Sequence, residues 1–84
     1  MAYEPTFTRI AESETSHDPT LVIPVRIVLN KQDHELEPGH GFSTHVEVLP
    51  EDRPAFLIWG HYDMTIEDAL EDYKYRQRRE RISV

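Results

Sequence analysis

The chain has no cysteine, which excludes disulfides, thiolate metal sites and a cysteine nucleophile. It holds only three glycines, and "EPGHGF" has neither the glycines nor the lysine of a phosphate loop. No run approaches the roughly 20 apolar residues that span a bilayer. The amino end "MAYEPTFTRIAESET" lacks the basic start and apolar stretch of a secretion signal, so a cytoplasmic protein without membrane contact is expected. The serines and threonines fall in no nucleophile-elbow pattern. Neither a helical HExxH nor an acidic calcium loop occurs.

What is present is acid. The net charge is -7, unevenly spread: residues 1–73 carry four bases against fifteen acids, and residues 74–84 five bases against Glu80. An acidic body with a basic end repels nucleic acid at long range and suits a basic partner protein. At 84 residues there is room for one small domain, 1–84, with one core. Residues 1–19 are polar enough to be loose, or to add a short edge strand from "TFTRIA", and residues 80–84 read as a frayed tail.

"TLVIPVRIVLN" places Leu21, Ile23, Val25, Ile27 and Leu29 at alternate positions, the period of a half-buried strand. Pro24 cannot donate to a ladder, so this strand lies at an edge, bulges there, or starts near Val25. "FSTHVEVLPEDRPAFLIWGHY" reads as a hairpin turning at residues 50–54. Counting outward sets Phe42, Thr44, Val46 and Val48 against Tyr62, Gly60, Ile58 and Phe56 on an apolar inner face. The reverse face takes Ser43, His45, Glu47 and Leu49 with His61, Trp59, Leu57 and Ala55. Gly60 would admit another element, and a helix follows at once.

In "MTIEDALEDYKYRQRRERI", Ile66, Ala69, Leu70, Tyr73 and Gln77 share one helix face. Thr65 is a natural N-cap, and acids in the first turns with bases in the last suit the helix dipole. The expected fold class is α+β: a three- or four-stranded, mainly antiparallel sheet with one C-terminal helix on one face.

Five histidines raise the question of chemistry. His34, His40 and His45 lie among Asp33, Glu35 and Glu37, but their spacing matches no metal pattern, so no metal or other cofactor is expected. His61 with Asp63, or His45 with Glu47, could form an acid–base pair. An enzyme built on His40, His45 and His61 is therefore the alternative reading. A nucleic-acid contact through Lys74, Arg76, Arg78, Arg79 and Arg81 is another, although dipole complementarity already accounts for these bases. The same basic end could bind the acidic body of a second copy and give a homodimer.

Trp59 has two readings. Tryptophan is usually well covered, and the "TLVIPVRIVLN" segment, the amino arm or a shifted register would bury it. An exposed Trp59 beside His45, Leu57 and His61 would instead be a partner-binding patch. A second acidic contact set comprises Glu51 and Asp52 in the turn and Glu67, Asp68, Glu71 and Asp72 on the helix, suited to mimic nucleic acid before a basic groove.

The order "STHVEVLPEDRPAFLIWGHYDMTIEDALEDYKYR" resembles small accessory proteins of phages and mobile elements, over residues 43–76. In these a Thr-His strand, a hairpin, a Gly-His-Tyr segment and an Ala-Leu-acid helix follow one another. The resemblance implies a compact, non-enzymatic accessory or inhibitor protein that binds another protein, and it carries no catalytic residue onto this chain.

Overall fold

A computed structural model describes residues 6–16 and 23–82. Its elements are β1 (Phe7–Glu12), β2 (Val25–Gln32), β3 (Phe42–Val48), β4 (Phe56–Met64) and α1 (Ile66–Ile82). The strands form one antiparallel sheet in the order β1-β2-β3-β4, so each pairs with its chain neighbour and β1 and β4 are the edges. The helix packs on one face, which is the α+β arrangement expected.

The alternating apolar segment supplies a central strand. β2 starts at Val25, directly after Pro24, so the proline needs no place in the ladder. Leu21 lies outside the described residues. Ile23 precedes the strand yet packs against the core of Val25, Ile27, Val46 and Val48, joined by Ile58 of β4 and Tyr73 of α1. Directly paired residues share a face, so the pairs Val25 with Val48 and Ile27 with Val46 fix this side as the inner one.

"TFTRIA" forms β1, with a register shift between Arg9 and Ala11. The hairpin keeps the expected pairing at its turn, Val48 opposite Phe56 and Val46 opposite Ile58. Beyond Ile58 the expectation fails. Two register shifts set Thr44 against His61 and Phe42 against Met64, in place of Gly60 and Tyr62. Each bulge adds one residue to β4, so the first turns His61 to the helix side and leaves Tyr62 on the opposite face.

Thr65 caps α1, its hydroxyl accepting from Asp68 N–H at 3.2 Å. The inner stripe of the helix is less apolar than its sequence suggested. Ala69 is buried and Ile66 and Tyr73 partly so, but Leu70 is exposed and Arg76 is buried. The helix continues through Ile82, past the point where fraying was expected, and residues 83–84 lie outside the description. No helix among the described residues is long and apolar enough to cross a membrane.

Candidate functional site

The first bulge is centred on Trp59, whose φ is +51°. A bulky L-residue seldom adopts left-handed backbone, because Cβ crowds the carbonyl. Here a buried cation holds the conformation. Arg76 Nη2 donates to the Trp59 carbonyl at 2.7 Å, while the tryptophan itself is 65 % exposed. Of the two readings of Trp59, the exposed one is what the described residues show. The free edge of the sheet carries it into solvent.

Arg76 belongs to a clamp between α1 and β4. Its Nε lies 3.3 Å from Asp72 Oδ2, and the same oxygen accepts from the Thr44 hydroxyl. His61 Nδ1 stands 2.9 Å from Asp72 Oδ2 and 2.8 Å from Arg76 Nη2. A bare Nδ1 accepts from the guanidinium and a protonated one donates to the carboxylate, so either tautomer finds a partner. Burial by itself would raise the Asp72 pKa, but bonds from Thr44 and His61 and the charge of Arg76 outweigh it and hold the carboxyl below its ordinary range. Asp72 is thus spent on fastening the helix.

The opposite face of the sheet carries a second constellation. Phe7, His45 and Tyr62 come from three different strands, yet their ring centroids lie 5.1 Å to 6.3 Å apart. His45 meets both other rings edge-on, and its Nε2 is 3.0 Å from the Tyr62 hydroxyl. Gly60 makes this possible. A Cβ there would stand 2.5 Å from the Tyr62 ring and 2.6 Å from His45 Nε2. The close approach expected at Gly60 exists, but the approaching groups are these rings and not the helix. Burial, then the charges of Arg76, His61 and Arg9, lower the His45 pKa to about 4, so its imidazole is neutral at neutral pH.

Further along this face Arg9 reaches over Asn30 to Glu47, at 3.1 Å and 2.9 Å. Arg26 Nε approaches Glu47 from β2 at 2.6 Å. Burial pushes the Glu47 carboxyl up, but hydrogen bonds from Arg9 and Arg26 together with their charges bring it below the usual range. Asn30 Nδ2, Ser43 Oγ and His45 Nδ1 are buried side-chain atoms with no hydrogen-bond partner among the described residues.

The second bulge is centred on Asp63, with φ +57°. Gln32 reaches from β2 to hold it, accepting from Asp63 N–H at 2.9 Å and donating to Asp63 Oδ1 at 3.1 Å. Between this bulge and the start of β1 lies a cleft of about 230 Å³, lined by Thr6, Phe7, Gln32, His34, Leu36, Tyr62 and Asp63.

The partner-binding residues inferred from sequence are not brought together. Trp59 is exposed, Leu57 half-buried and His45 buried under the aromatic cluster, while His61 has moved to the helix side. Glu51 and Asp52 are exposed in the turn before β4, and Glu67, Asp68 and Glu71 are exposed on the helix after it. Nine strand residues, about 30 Å of chain, separate the two acidic groups. His34 and His40 sit in the β2–β3 loop, where His40 lies 3.9 Å from Glu37. Among the described residues no three His, Asp or Glu side chains gather as a metal-binding set.

Sequence reasoning missed Phe7, Tyr62 and Arg9 as site-forming residues, and it placed Arg76 in an exposed basic patch, whereas the residue is buried against β4. Only "WG" offered a signal, a glycine marking close approach within a strand. Comparisons of the chain with protein-family models, with curated proteins and with solved structures found no match.

Proposed function

We propose that this protein is a non-enzymatic binding module that grips another protein along the free edge of β4, with Trp59 as the anchor. One observation carries the reading: a tryptophan 65 % exposed, on an edge strand, held in a left-handed conformation by a buried arginine. Left-handed backbone at such a residue costs of order 1–3 kcal/mol and persists only where its surroundings impose it. Tryptophan is also the side chain most enriched among residues that dominate interface energy.

The histidines support binding over catalysis. His45 is buried and neutral, and the Nδ1 of His61 is committed to Asp72 or Arg76. The exposed acids Glu67, Asp68 and Glu71 favour a partner with a basic surface. An accessory or inhibitor role of the kind implied by the likeness over residues 43–76 fits such a module.

The test is photo-crosslinking from a benzoylphenylalanine placed at position 59, with position 14 on the β1 side as control. A discrete partner captured from 59 and not from 14, and lost on competition with unlabelled wild type but not with Trp59→Ala, supports the anchor. Equal capture from both positions would sink it. Reversing Glu67, Asp68 and Glu71 to lysine separates the electrostatic part: undiminished capture would remove the basic-partner clause and leave the tryptophan anchor.

A further inference from the structure

The cleft between the start of β1 and the end of β4 combines two kinds of wall. Phe7, Leu36 and Tyr62 supply apolar and aromatic surface, and Asp63 supplies a carboxylate. Leu36 is 80 % exposed, a large apolar side chain held at the mouth of the cleft by an otherwise polar loop. The Phe7 and Tyr62 rings are inclined by only 28°, and both are fixed from behind by His45.

The surroundings are negative. Asp33, Glu35 and Glu37 are exposed in the adjoining loop, and the base beside them, Lys31, lies 3.6 Å from Glu35. At Asp63 the bond from Gln32 engages Oδ1 alone. A volume of about 230 Å³ is below the range of drug-sized ligand sites and suits one long side chain.

The geometry points to a receptor cleft for a single arginine side chain of the partner protein, its guanidinium directed to Asp63 and its stem and planar face against Phe7, Tyr62 and Leu36. Charge complementarity and aromatic walls both select a cation. Arginine answers them better than lysine, because its planar head is more weakly hydrated, stacks on rings and bonds carboxylates in a fixed fork. This inference rests on the reading of the protein as a module for a basic partner, and it adds a specificity pocket on β4, three and four residues beyond Trp59.

The experiment is a ¹⁵N-resolved NMR titration of the full chain with N-acetyl-arginine amide, and in parallel with the citrulline analogue, which keeps the shape and loses the charge. Saturable shifts at Phe7, Gln32, Tyr62 and Asp63 are expected, with citrulline weaker by about tenfold. Asp63→Asn and Leu36→Ser should each weaken the response, and Leu36 is exposed enough for that variant to fold normally. Equal shifts with citrulline, or shifts spread over Glu51, Asp52, Glu67 and Asp68, would overturn the cleft. A crosslink from position 59 without a response in the cleft overturns the cleft alone. A response in the cleft without that crosslink overturns the tryptophan anchor alone.

Discussion

At the scale of single residues, β4 holds Trp59 and Asp63 in left-handed backbone and brings Gly60 close to two rings. Trp59 has a left-handed backbone, and alanine in its place would keep the same steric penalty while glycine would not. Trp59→Gly should therefore be more stable than Trp59→Ala by about 1 kcal/mol in urea unfolding, since both remove the indole and only one relieves the backbone. Equal stabilities would mean that the bulge relaxes once the indole is gone. Gly60 acts through space. A methyl there meets Tyr62 and His45, so Gly60→Ala must swing the tyrosine out, break its bond to His45 and wet the imidazole. The expected loss is about 1–2 kcal/mol. The His45 pKa, followed by NMR through its imidazole protons, should rise from about 4 towards its ordinary value. An unmoved pKa would show that Tyr62 contributes nothing to His45 burial.

At the scale of elements, the clamp of Asp72, His61, Thr44 and Arg76 does work that an apolar stripe would do in a more conventional helix. Arg76→Ala leaves the largely covered Asp72 without its permanent cation and the Trp59 carbonyl without its donor. Breaking such a pair costs about 3 kcal/mol. Amide exchange should accelerate at residues 59–61 before it does in β2, and Arg76→Lys should not restore protection, because a single nitrogen would have to stand in for the separate Nε and Nη2 that reach the carboxylate and the carbonyl. The cap is simpler: Thr65→Ala should cost about 1 kcal/mol, read as a shift in the denaturation midpoint. The helix, its cap and the turn register of the hairpin were legible in sequence, because each rests on a local rule of period or backbone chemistry, while Pro24 narrowed β2 to three readings, of which the start at Val25 holds. The bulges were not. Strand alternation tells inside from outside only where the residues differ sharply, and His61 and Tyr62 are both amphipathic enough to serve on either face. One added residue therefore left no trace in the pattern, yet it exchanged the two and dispersed the patch imagined around Trp59. Arg76 was hidden for a related reason, since a base in the last turns of a helix already has an ordinary explanation in the dipole.

For the whole molecule, the buried titratable groups set a definite acid profile. His45 is neutral when folded, with a pKa of about 4 against 6.5 when unfolded, so below pH 6.5 the unfolded chain binds a proton that the folded one refuses. Stability should fall as the pH drops from 6.5 to 4, by about 3 kcal/mol. Glu47 and Asp72 are depressed carboxylates, and their contributions are lost only at lower pH, as they finally protonate. Two limbs are thus expected in a plot of unfolding free energy against pH, and His45→Phe should erase the upper one alone. A single limb, unchanged in that variant, would refute the assignment. The bulges in β4 have a last consequence at this scale. A sheet edge with open backbone groups is a template on which further copies can stack without limit, the first step towards a fibre. Here the residues from Trp59 to Asp63 depart twice from regular pairing, and only Phe56–Ile58 offers an even ladder. Three residues are too short a primer for open-ended growth, so the kinks that display the tryptophan also keep the chain from polymerising upon itself.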